Sequence, residues 1–356
     1  MSHQEQSRVL EFKKWTQNSL KTLYQLYYKV TSNIKPPRDI AKREFAFQPF
    51  DIDSYIRHLS FYSFNDLREY LVLNPPRHAY YSIALYELPE AKSMEEKGWL
   101  GSEILVDIDV DYLEECRIVK VDNVGELVGD ECLLEGFKQA LRIKKMLERD
   151  FDMNTTVYFS GSRGFHIIGY NESYLTLGRD EREEIAKYIS GLELNISYLI
   201  PISRDRSKIS IATPLPEDPG WRGLIGEILR SRGASSSIDY STISKIEDII
   251  SKLKIPIDMQ VTRDPSRLAR LIGSLNGKSS LMVVEVEEDQ FTPSIALSPF
   301  NGELTVKAKA SLDDIKILGL KISFKKGETL NLEAPIALLL ASKGIVDVLS
   351  GVVKIS

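Results

Sequence analysis

The sequence predicts an α/β chain of the α+β type, a mixed-sheet core carrying a small, mainly helical inserted subdomain. Three observations lead there. Residues 103–112 (EILVDIDVDY) alternate apolar and acidic side chains with the period of two that marks a strand. Elsewhere apolar residues recur at helical spacing, as in Leu133, Phe137, Ala140, Leu141 and Leu147. From Asn171 to Ser251 the pattern changes to one helical stretch followed by proline-broken connections. A chain of 356 residues has length for two or three compact units. The expected division is a discontinuous core, residues 1–170 and 252–356, interrupted by a smaller subdomain, residues 171–251.

The elements follow in order. Phe12, Trp15, Leu23, Leu26, Tyr27 and Val30 predict an amphipathic N-terminal helix, stopped by Pro36 and Pro37. Residues 43–47 alternate charged and aromatic side chains, as a half-buried strand does. A helix is expected over 64–71, ending before Pro75 and Pro76, and a strand over 80–86. In the strand at 103–112, Ile104, Val106, Ile108 and Val110 share one face, and Asp107, Asp109 and Asp111 the other. Residues 132–147 predict a helix, and 155–170 two strands joined by a glycine-containing turn. Within the inserted stretch, 177–194 reads as helix, and Pro201, Pro214, Pro216 and Pro219 mark irregular connections. Strand character returns at 256–261, with further strands at 282–286 and 304–307. Residues 334–348 are expected to close the chain as a helix.

Composition narrows the function. Lys and Arg total 46 against 51 Asp and Glu, a net charge of −5, which argues against a protein that simply coats a polyanion. It leaves room for an enzyme with a local basic groove. Only two cysteines are present, Cys116 and Cys132, so no disulfide framework is expected and a reducing compartment is the default. The polar N-terminus carries no signal-peptide pattern, and the apolar run at 334–341 is too short to span a membrane. A soluble, cytoplasmic protein is expected.

Three segments carry chemistry. Asp107 and Asp109 project from one strand face about 7 Å apart at Cα, twice the rise per residue. Paired carboxylates repel unless a cation lies between them, and hard oxygen ligands suit Mg²⁺ or Mn²⁺. A solvated strand face would show the same alternation. The second segment is Ser160-Gly-Ser-Arg163-Gly-Phe-His166, where two glycines allow a tight turn and Ser160, Arg163 and His166 supply donors suited to a triphosphate. An ordinary hairpin is the competing reading. The third runs from Asp258 to Arg270, Ser274, Asn276, Gly277 and Lys278. Asp258 can complete a three-carboxylate metal site, and Arg270 and Lys278 can meet phosphates. Alone, an aspartate after a proline-bounded apolar pair is everyday turn chemistry.

Taken together and in this order, the segments resemble the archaeo-eukaryotic DNA primase small (catalytic) subunit over nearly the whole chain. Residues 43–47 with Tyr55, Ile56 and Arg57 resemble its N-terminal signature, 106–109 its first catalytic motif, 160–166 its nucleotide-binding motif, and Asp258 with 270–278 its third. The resemblance implies template-directed primer synthesis on single-stranded DNA from nucleoside triphosphates, with Asp107, Asp109 and Asp258 holding two divalent metals. It implies that Ser160, Arg163 and His166 grip the phosphates, helped by Arg270 and Lys278. Glu44, Tyr55 and Arg57 would line the nucleotide site, with Arg77 a further candidate. A primase large subunit is the implied partner. A repair or translesion primase-polymerase of the same superfamily, or an inactive nucleic-acid-binding subunit, are the alternatives. Three departures stand out. Asn276 occupies a position where the family commonly has histidine, Ser162 one where it has a larger polar or basic group, and Cys116 and Cys132 fall short of the four ligands of a structural zinc, so zinc is not expected.

Overall fold

The computed structural model describes residues 8–195, 199, 202–205, 208–211, 213–231 and 250–355. Pro201 and part of the inserted stretch lie outside them. The elements that position the site are β1 (Val9–Phe12), α1 (Gln17–Val30), β2 (Phe45–Gln48), β3 (Ile56–Leu59), α2 (Phe64–Leu73), β4 (His78–Ser82) and β5 (Ile104–Asp109). They continue with α3 (Asp130–Phe151), β6 (Asn154–Phe159), β7 (Gly164–Tyr170), α4 (Arg179–Ser190), α5 (Gly220–Ser231), α6 (Met259–Arg263) and β8 (Leu268–Arg270). The chain then adds β9 (Val284–Glu285), β10 (Phe300–Ala308), β11 (Thr329–Glu333), α7 (Ala334–Ser342) and β12 (Val346–Ile355).

These strands build three four-stranded sheets, ordered β9-β6-β7-β5, β8-β4-β2-β3 and β1-β12-β10-β11. Every described strand pairing is antiparallel, and helices pack against the sheets, as the α+β class requires. The central helix α3 shows why. Leu133, Phe137, Ala140, Ile143 and Leu147 recur on one face, all are buried, and the helix lies on β6 and β7. Burying each of the larger side chains contributes about 1.5–3 kcal/mol. Most of the core is one continuous cluster across the sheets. A separate small cluster joins Met146 of α3 to Trp221, Leu224, Ile225 and Leu229 of α5 and to Ile250 and Leu253.

Five expectations are corrected. Phe12 lies in a strand that pairs with Gly351, so the N-terminal helix begins only at Gln17. The strand through the aspartates stops at Asp109. Residues Val110–Tyr112 turn into a 3₁₀ helix because the Asp109 carboxylate accepts from the Asp111 N–H at 3.1 Å, which takes Asp111 off the shared face. The 256–261 stretch is not a strand. Asp258 caps α6, accepting from the N–H groups of Gln260 (3.0 Å) and Val261 (3.3 Å). The chain closes on a strand rather than a helix. α7 ends at Ser342, Gly344 takes a left-handed φ of 75°, and the β-branched residues beyond it form β12. Residues 43–47 are also buried throughout rather than half-buried. Arg43 meets Glu103 at 3.0 Å and Glu44 meets Lys97 at 2.5 Å.

Candidate active site

The register of β5 and β7 sets the first part of the site. His166 stands opposite Asp107, and Gly164 opposite Asp109. A side-chain carbon on Gly164 would fall 2.1 Å from the Ile108 carbonyl oxygen, so only glycine lets the two strands approach here. His166 is buried. Its Nε2 lies 3.4 Å from an Asp107 oxygen and its Nδ1 3.1 Å from the Tyr158 hydroxyl. Burial, reinforced by Arg270, pushes its pKa down to about 3, so the ring is neutral. An ionised Asp107 oxygen can only accept, so the arrangement that satisfies both ring nitrogens puts the ring proton on Nε2, facing Asp107, and leaves Nδ1 to accept from the Tyr158 hydroxyl.

β5 is an edge strand, and the Asp258 N–H reaches its free side, donating to the Asp107 carbonyl at 3.2 Å. That one main-chain bond brings the third aspartate to the first two across 150 residues of sequence. Burial, then the charges of Asp109 and Asp258, raise the Asp107 pKa to about 7, with Arg270 and Arg267 opposing. Among the described residues, no three His, Cys, Asp or Glu side chains converge closely enough to hold a metal ion by themselves.

Residues 160–163 form the turn between β6 and β7. Asn276 and Ser279 brace it from the third segment. The Asn276 amide donates to the Ser160 carbonyl at 2.8 Å, and the Ser279 hydroxyl donates to the Gly161 carbonyl. Asn276 is wholly buried and also accepts from the Lys278 N–H at 3.0 Å, so in this chain the position where histidine was expected ties two segments together. Arg163 is engaged with carboxylates, 2.7 Å from Asp111 and 3.6 Å from Glu126. The Lys278 side chain is exposed.

The N-terminal signature arrives through β2, β3 and β4. Glu44 does not face open space. It is 2% exposed and held by Lys97, by Arg57 at 3.1 Å and by the His58 N–H at 3.2 Å. Burial works to raise its pKa, but Lys97 and Arg57 outweigh it, and the net shift is downward. Tyr55 packs edge-on against Tyr80 with centroids 5.6 Å apart, and Tyr80 lies under the Arg270 guanidinium at 4.9 Å. Arg77 packs over Gly277.

Sequence reasoning missed Lys97, His78, Tyr158 and Lys343. His78 shares a strand face with Tyr80, a spacing that could have flagged it. Lys343 follows α7. Burial, then Arg163 and Lys278, lower its pKa to about 8 against the pull of Asp111 and Asp109, so it interacts with charges on both the turn between β6 and β7 and the third segment. No local pattern marks it.

The family model for the DNA primase small subunit matches residues 106–288. The DNA primase small subunit of Aeropyrum pernix is 45% identical over 334 residues, 94% of each chain. That of Sulfurisphaera tokodaii is 34% identical over 96% of this chain and 97% of its own length. That of Sulfolobus acidocaldarius is 35% identical over 92% and 95%. This chain belongs to the DNA primase small-subunit family. It is a primase subunit of DNA replication, a nucleotidyltransferase. The polymerase domain of Mycobacterium tuberculosis Ligase D in complex with DNA is a distant structural likeness, with a TM-score of 0.37 and 9% identity over 78% of this chain and 84% of that one.

The matched span takes in the three aspartates, the 160–166 turn and the Arg270 to Lys278 segment of this family member. Glu44, Tyr55, Arg57, His78 and Lys97 precede it and Lys343 follows it. In the same family frame, Cys116 and Cys132 are free and pack as small apolar residues with Val110 and Leu113. No helix among the described residues is long and apolar enough to cross a membrane.

Proposed function

We propose that this primase subunit joins nucleotides with Asp107, Asp109 and Asp258 as ligands of Mg²⁺ or Mn²⁺. The observation that supports it most is the main-chain bond from Asp258 to Asp107, which gathers carboxylates whose burial and mutual repulsion outweigh the nearby Arg270 and Arg267. The donor set fits a hard cation. Magnesium commonly takes one or two carboxylates and completes its shell with waters and substrate phosphates, so no preformed three-residue cage is needed. When bound, such ions neutralise phosphate charge and steady the attacking and leaving oxygens.

The chain's own residues supply the rest. Arg270 and Lys278 approach the triphosphate from the third segment, and Ser160 and Arg163 from the turn between β6 and β7. His166 offers its Nε2–H as a neutral donor beside Asp107. Arg163 must exchange Asp111 and Glu126 for phosphate, which makes its grip conditional on substrate. Tyr55 and Arg57 border the same cleft, with Glu44 anchoring Arg57. The domain division also belongs to this reading, with residues 1–170 and 252–356 as the catalytic core and 171–251 as a smaller insertion.

The substrates in this proposal are a single-stranded DNA template and nucleoside triphosphates. A large subunit is the proposed partner, because a chain of net charge −5 with few cations at the cleft holds a polyanion weakly by itself. The deciding experiment measures nucleotide incorporation against Mn²⁺ concentration, together with Mn²⁺ binding to the protein, for Asp109→Asn and Asp258→Asn. Loss of both incorporation and Mn²⁺ binding is expected. Normal Mn²⁺ binding by both variants would remove the metal assignment.

A further inference from the structure

The roles above leave one buried group unexplained. His78 begins β4, pairs with Gln48 across the sheet and is 3% exposed. Its charged surroundings are three cations, Arg270, Arg77 and Lys278. Burial first, and then those cations, hold its pKa down to about 3. The ring is therefore neutral, with one N–H and one lone pair. Two donors converge on the same ring nitrogen. Arg270 Nη1 lies 3.1 Å from Nδ1, and the Gly277 N–H 3.4 Å from it. A guanidinium has no lone pair, so Nδ1 is the acceptor and the ring proton sits on Nε2.

The guanidinium is thus held on two sides. Nδ1 of His78 fixes one of its N–H groups, and the Tyr80 ring, two residues along the same strand face, lies with its centroid 4.9 Å from Cζ. Among the described residues no carboxylate lies within ion-pair distance of Arg270. A carboxylate in place of His78 would orient the arginine equally well but would cancel its charge and compete with phosphate for its donors. A neutral acceptor orients it and leaves the charge in place.

We infer that His78 is a positioning residue of this primase. It aims Arg270 at the phosphates of the incoming nucleotide and pins the Gly277 turn beside Lys278, leaving the guanidinium its full charge. This rests on the reading that Arg270 meets those phosphates. Its distinct content is the requirement at position 78 for an acceptor that is uncharged.

The test uses the full-length protein extending a primed single-stranded DNA with Mn²⁺, with KM and kcat measured for the nucleotide. His78→Asn places an amide oxygen near the position of Nδ1, and its KM should stay within about threefold of the parent, whereas His78→Leu should raise KM about tenfold or more with kcat at saturation little changed. His78→Asp keeps an acceptor but adds a charge, and should raise KM at least as far as His78→Leu. Arg270→Leu should raise KM, and adding His78→Leu to it should change little further, since the two act as a unit. If Arg270→Leu raises KM and His78→Leu does not, the inference falls and the reading of Arg270 stands. If Arg270→Leu leaves KM unchanged, both fall. Should His78→Leu fail to fold, the Asn and Asp variants decide, and equal KM values for those two would overturn the inference.

Discussion

Glu44 and Asp107 are both carboxylates withdrawn from solvent, and their surroundings pull them in opposite directions. Glu44 has Lys97 at 2.5 Å, Arg57 at 3.1 Å and a backbone N–H, and it ionises more readily than an ordinary glutamate. For Asp107, burial and the charges of Asp109 and Asp258 outweigh Arg270 and Arg267, and its pKa rises to about 7. One carboxylate is satisfied by the fold itself and becomes part of the wall. The other sits among like charges that its two nearby arginines do not offset, which favours a cation there. A buried acid is informative through its company rather than its burial.

The contrast can be broken most severely at Glu44. Glu44→Ala leaves Lys97, 1% exposed, without its partner, and breaking a buried pair this way costs about 3–5 kcal/mol. Denaturant unfolding measures it, and an unchanged midpoint would place Lys97 in contact with water. Asp107→Asn is expected to do the reverse. Synthesis should fall roughly 100- to 1000-fold, the scale of losing one charge-organising group at a reaction centre. The thermal midpoint in metal-free buffer should hold or rise, because a repulsion has been removed. A destabilised but active Asp107→Asn would dissolve the distinction.

The pH dependence sharpens the same contrast. The Asp107 pKa is raised on folding, so between about 4 and 7 the folded state binds more protons than the unfolded one, and stability falls as pH rises through that window. His166 and His78, both lowered to about 3, work in the opposite direction, adding stability as pH rises toward 6.5. Subtracting the Asp107→Asn stability profile from that of the parent isolates the aspartate. The difference should show the parent losing ground up to about pH 7, with addition of Mn²⁺ at pH 7 or above reducing the gap. Asp107 keeps 30% of its side chain exposed, so solvent damps the size of the effect but not its sign. The smallest change is expected at the Arg163–Asp111 pair, 26% and 21% exposed. Asp111→Asn should alter stability by no more than about 1 kcal/mol while making Arg163 more available, read as an unchanged or lowered KM for nucleotide.

What could be read from the sequence follows how far each effect reaches along the chain. The shared face of Asp107 and Asp109 is a period of two within one strand, and it was legible at once. The hairpin holding residues 160–166 was equally local. Asp258 was legible as a residue type but not as a position. Its segment looked extended, whereas its side chain caps a helix and its main chain bonds a strand far back in the chain. The Glu44–Lys97 pair has no signal in the sequence, because the two residues meet only after folding. The closing segment was misread because an Ala-Leu run dominates the eye, while Gly344 and the alternating valines beyond it carried the contrary information. His78 was overlooked because a lone imidazole in a sequence has no context until the cations around it converge.

The third sheet has a bearing on how the molecule is made. β1 pairs along its whole length with β12, Val9 with Lys354 and Phe12 with Gly351. Between those partners lie both of the other sheets and every residue assigned to the nucleotide site. On a ribosome, which delivers the chain from its N-terminus, β1 emerges first and has no partner until the last strand follows. The pairing is among the most sequence-distant contacts in the molecule, and closing so large a loop is costly before other contacts have drawn the ends together. The strands of the sheet that carries Asp107 and His166 have all been made by Glu285, whereas β1 has no partner until β12 follows.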